Sequence, residues 1–104
     1  MTSVKFFADK IGLYGFEISG HSSKDCDDIN GKIVCSAVSS AAYMAANTVE
    51  EIIGDKCEAV VDEALMNFEV INPSDASRKV LEGLRLHLTE LSKQYRDRIV
   101  IMEV

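Results

Sequence analysis

Cys35 and His21 are the residues whose types can do covalent chemistry together. They sit at the two ends of a loop within the stretch "SGHSSKDCDDINGKIVCSAVSSAA", residues 19–42. The chain has only 2 histidines and 3 cysteines, so one of each closing the same segment demands an explanation. The spacing places Cys35 in the first turn of a helix. Unpaired backbone N–H groups and the positive end of the helix dipole stabilise an anion there. Cysteines at helix N-termini have depressed pKa values, and the same amides can hold a developing oxyanion. A neutral His21 brought near by the segment can take the thiol proton and later protonate a leaving amine. On spacing alone the plainer reading of Cys35 is a small buried residue in a small-residue helix. A lone histidine after a strand is, likewise, most simply a surface polar group.

The elements that must position this pair follow from periodicity. "VKFFA" and "LYGFEIS" read as strands rich in aromatic and β-branched residues, with "DKIG" as the turn between them. Residues 20–31 carry glycine, asparagine and aspartate and read as a loop. Val34, Val38, Ala41, Ala45, Val49 and Ile52 recur at three- and four-residue spacing, which predicts a helix from Lys32 to Ile53. Small residues around most of its girth predict burial nearly all round, and Gly54 is its stop. "CEAVVDEALMNFEVI" reads as a hairpin turning near Asp62 and Glu63. "NPSDASRKVLEGLRLHLTELSKQY" reads as a second helix, capped by Asn72 or Ser74, with a stripe of Val80, Leu81, Leu84, Leu88, Leu91 and Tyr95. "RIVIMEV" is a last strand. The order ββαββαβ implies an α+β fold: two helices packed on a mainly antiparallel sheet, in a single domain over 1–104.

Composition bounds the partners. Hydrophobic residues make up 47% and charged residues 27% of the 104, enough apolar material for one core. The net charge of −6 argues against direct nucleic-acid contact. No apolar run approaches the roughly 20 residues of a membrane span, and the N-terminus is too interrupted by charge for a signal peptide. A cytoplasmic, disulfide-free protein is expected.

The stretch "GH" at 20–21 followed by "IVCSAVS" at 33–39 resembles the ribosomal-processing cysteine protease family, Prp. The likeness extends in element order over nearly the whole chain. It implies a small cytoplasmic homodimer that removes an N-terminal extension from a large-subunit ribosomal protein precursor, cutting after a pair of phenylalanines, with no cofactor. By the same resemblance Cys35 is the nucleophile and His21 the general base. Ser39 matches the family serine and Gly20 the family glycine. With Ser36 they are the candidate substrate-binding residues. Ser39 reads equally as a helix hydroxyl satisfied by a carbonyl one turn back. Loop 22–31 would order over a bound peptide. The chain departs from the pattern at Lys32, where many members have an aspartate; Asp27 and Asp28 are the substitutes at hand. The loop between His21 and Cys35 is also slightly longer than is typical. That keeps an alternative function in view, a non-catalytic dimeric peptide-binding module associated with the ribosome.

Other residues carry weaker chemistry. His21, Cys26 and Cys35 give an H-x4-C-x8-C order, without the paired C-x2-C of a zinc site, so no metal is expected. Cys26 reads as a loop thiol and Cys57 as core filler. His87 reads as a half-buried flank residue. Asp25, Asp27 and Asp28 form a solvated acidic loop or an attractor for a basic peptide.

Overall fold

The structure, a computed structural model, describes residues 1–20 and 28–104. Strands β1 (Thr2–Ala8) and β2 (Leu13–Ser19) precede helix α1 (Ile29–Asn47), which continues as a π-helical segment, Thr48–Ile53. Strands β3 (Cys57–Asp62) and β4 (Leu65–Val70), helix α2 (Asp75–Gln94) and strand β5 (Ile99–Glu103) follow. The ββαββαβ order expected from the sequence is the one observed. One sheet runs β3-β4-β2-β1-β5. Every neighbouring pair is antiparallel except β1 with β5.

Alternation within the strands decides which face is covered. Val4 and Phe6 on β1, Phe16 on β2, and Met66, Phe68 and Val70 on β4 are buried. Register puts Phe6 opposite Phe16 and Phe16 opposite Phe68, so the three rings line one face. Their centroids lie 6.3 and 5.5 Å apart in sequence along the sheet. Val34, Val38 and Ala45 of α1, with Leu81, Leu84 and Leu88 of α2, close the same core. Each such buried valine, leucine, methionine or phenylalanine side chain contributes roughly 1.5–3 kcal/mol. Among the described residues no helix is long and apolar enough to cross a membrane.

Three expectations about the first helix are corrected. It starts at Ile29, not Lys32, because the Asp28 side chain accepts the Gly31 N–H at 3.1 Å and caps it. Residues 29–31 therefore belong to helix rather than to a loop or lid. Nor is the helix buried all round: Ser36, Ser39, Ser40, Tyr43 and Met44 are exposed. Its end departs from α-helical spacing as well. Gly54, in a left-handed conformation at φ 86°, donates to the Val49 carbonyl five residues back. That wider turn rotates Ile52 off the apolar stripe, leaving it 80% exposed while Val49 is buried. On α2 the cap is Ser74, and His87 is exposed rather than half-buried.

Two carboxylates tie distant segments together. Asp55 Oδ2 accepts from the Ser74 N–H, the Ser74 hydroxyl and the Ser77 hydroxyl at 2.9, 2.7 and 2.6 Å. The Ser77 and Ser74 donors hold its pKa below the usual carboxylate range. Asp9 accepts both guanidinium nitrogens of Arg78 at 2.9 and 3.0 Å. With the Gly12 and Ile11 amides, that contact lowers its pKa to about 2. Both groups have folded pKa values below the unfolded value, roughly 3.9. Their stabilisation is therefore fully present above about pH 4 and is lost as pH falls toward 2. Urea midpoints are expected to fall over that window, and the fall is expected to be shallower in Asp9→Asn and in Asp55→Asn.

Candidate active site

The face of α1 that carries Cys35 looks onto the β3–β4 hairpin. Between them lies a cleft of about 170 Å³. Cys35, Val38, Ser39 and Tyr43 form its helical wall, and Val61, Asp62, Leu65 and Met66 its hairpin wall. Thr2, Ile18 and Gly20 also line it. Helical geometry explains the first group: residues three, four and eight places after Cys35 share its side of the cylinder. Val34 and Val38, both buried, flank the cysteine and fix its height above the sheet. Cys35 itself is half-buried and outside any disulfide.

The first-turn placement of Cys35 does not hold. It is the seventh residue of α1, so its N–H is spent within the helix. The α1 amides therefore supply neither the dipole argument nor an oxyanion hole at this sulfur. The cause is the Asp28 cap, reinforced by an ion pair with Arg98, the residue before β5. Arg98 is half-buried, and its hydrogen bond to Asp28 raises its pKa. Asp28 thus caps the helix with no acid at position 32, where Lys32 is exposed. This makes Asp28 an anchor rather than part of an acidic docking loop.

Gly20 reaches the cleft in a left-handed conformation, φ 84°. Its N–H donates to the Ala64 carbonyl at 2.9 Å, tying the end of β2 to the hairpin turn. Of the five candidates, then, Cys35, Ser39 and Gly20 share one cleft. Ser36, about 100° around the helix from Cys35, is exposed and does not line it. His21 lies outside the described residues, as do Asp25, Cys26 and Asp27. Cys57 begins β3 and donates its thiol to the Asp55 carbonyl at 3.3 Å. Burial, with Glu50 and Asp55 nearby, pushes its pKa up and makes it a poor nucleophile. The hairpin wall was not among the candidates. Only the long-range strand order brings Val61, Asp62, Leu65 and Met66 opposite the cysteine. Tyr43 carried a usable local signal, its eight-residue spacing from Cys35.

The half-buried Cys35 thus lines a cleft between helix and hairpin. Residues 1–100 match the model of the family described as cysteine protease Prp. The chain belongs to that family. It is a cysteine protease with the Prp fold. The fold is shared with solved structures at low identity. One is the ribosomal processing protease Prp from S. aureus in complex with a covalently linked product peptide: 15% identity, 100% of both chains covered, TM-score 0.85. The same protease in complex with a substrate peptide is 14% identical, again over 100% of both chains, with a TM-score of 0.88. A protein from Streptococcus mutans is 20% identical over 100% of this chain and 94% of its own, with a TM-score of 0.88. No curated protein matches the sequence.

Proposed function

We propose that this Prp protease removes an N-terminal extension from a large-subunit ribosomal protein precursor, using a Cys35/His21 dyad. His21 takes the Cys35 proton as the sulfur attacks the scissile carbonyl carbon. The tetrahedral intermediate collapses as the imidazolium returns that proton to the leaving amine, breaking the C–N bond and leaving a thioester. A water, deprotonated by His21, then attacks the thioester. The carboxylate product leaves, and the proton goes back to sulfur. The Ser39 hydroxyl, on the same wall one turn beyond Cys35, is a donor for the carbonyl oxygen. Gly20 sets the backbone immediately before His21. Ser36 has no part in this arrangement.

The observation that carries the reading is the half-buried Cys35 thiol in a cleft bounded by Gly20, the residue next to the histidine. The peptide complexes of the S. aureus relative support an extended polypeptide as the occupant. Homodimerisation and a cytoplasmic location belong to the same proposal. The experiment is direct. The extended ribosomal-protein precursor is incubated with the protein under reducing conditions and the product weighed. Loss of the extension is expected, and an unchanged precursor mass overturns the assignment.

A further inference from the structure

One charged side chain lines the catalytic cleft among the described residues: Asp62, at the end of β3. Its Oδ1 accepts the N–H of the next residue, Glu63, at 2.7 Å. That contact uses one carboxylate oxygen. None of the ion pairs among the described residues uses Asp62. The hairpin around it adds no compensating charge. Residues 57–70 contain Glu58, Asp62, Glu63 and Glu69 and no lysine, arginine or histidine. Turn formation alone explains a short polar residue at position 62, but an asparagine or serine serves a turn as well. What the turn does not require is a net negative charge facing the thiol-bearing helix.

We infer that Asp62 is a specificity-determining residue that selects a substrate with a lysine or arginine close to the cut bond. The inference rests on the peptidase reading of the cleft. Distance sets how close. The helical wall from Cys35 to Tyr43 spans eight residues, about 12 Å at the α-helical rise. An extended peptide advances about 3.3 Å per residue. The cleft therefore holds about three to four substrate residues, and Asp62 faces a side chain within that span. Asp62 is exposed, and a cationic side chain there gains a solvent-facing carboxylate partner at the rim of the cleft. A neutral one leaves the carboxylate with less solvent and no partner. The apolar groups around it, Val61, Leu65 and Met66, receive the aliphatic stem of a lysine or arginine.

The test uses the intact protein and a peptide set in which each position within four residues of the cut carries lysine, glutamine or glutamate in turn. Wild type is expected to prefer lysine over glutamine about two- to fivefold in kcat/KM at one position, as an exposed ion pair allows. The preference is expected to shrink in 1 M salt as the pair is screened. Asp62→Asn is expected to abolish it, and Asp62→Lys to turn it toward glutamate. The same peptides are titrated against Cys35→Ser, which reads binding without cleavage. Cleavage by wild type with no charge preference, or a lysine preference surviving in Asp62→Asn, overturns the role of Asp62 while the peptidase stands. A lysine preference in binding with no cleavage by wild type overturns the peptidase reading and leaves Asp62 as the recognition residue.

Discussion

Cys35→Ser is expected to abolish cleavage of the precursor, by a factor of about 10³ or more, while leaving the fold unchanged. The two halves of that expectation have separate physical grounds. A serine hydroxyl is a far weaker nucleophile than a thiol, and in nucleophile–base pairs the loss of either member removes most of the acceleration. The structural cost is small because Cys35 is half-buried and the packing on either side is carried by Val34 and Val38. A sulfur-to-oxygen exchange there leaves no cavity and no stranded donor. Mass spectrometry of the precursor reads the first half, and circular dichroism with a thermal melt reads the second. The variant also retains substrate, since the walls of the cleft are untouched. Residual turnover near the wild-type rate would place the nucleophile elsewhere. A collapsed melt would show that the thiol is packing material.

Where the sequence was informative, the signal was local. Alternation along β1, β2 and β4 and the stripe Leu81, Leu84, Leu88 are set by periods of two and 3.6. Each of those elements appears within a few residues of its expected bounds. The start of α1 was hidden because Asn30 and Gly31 are poor helix formers that ordinarily mark a loop. The Asp28–Arg98 pair, bridging 70 residues of sequence, holds them helical nonetheless. No local pattern contains that contact. The distinction between Ser36 and Ser39, by contrast, was available. One residue turns the helix by about 100°, four by about 40°, so only Ser39 can share a wall with Cys35. The other wall of the cleft depends on β3 lying outside β4 and on α1 crossing above them. Pairing order is a tertiary property, and Asp62 reads from sequence only as a turn residue.

Two glycines with nearly the same backbone conformation separate what the conformation costs from what the site demands. Gly20 has φ 84° and Gly54 has φ 86°. An alanine at either must adopt the left-handed region, at about 1–2 kcal/mol. At Gly54 an added Cβ meets nothing within 4 Å, so that cost is the whole effect. At Gly20 the Cβ falls 2.5 Å from the Met1 carbonyl oxygen, and backbone atoms cannot rotate aside. The strand end must shift, pulling on the Gly20 N–H bond to Ala64 and on the wall of the cleft. Gly20→Ala is therefore expected to lose about 3–4 kcal/mol against about 1–2 for Gly54→Ala, a large share of the stability of a small domain. The melting temperature is expected to drop by roughly 12–30 °C in the first variant and 4–15 °C in the second. Activity divides them further. At a temperature where both remain folded, Gly54→Ala cleaves the precursor at the wild-type rate, while Gly20→Ala is slowed because the backbone next to His21 has moved. Equal melts and equal rates for the two variants would mean that the Met1 carbonyl yields freely, and Gly20 would then have no special hold on the cleft.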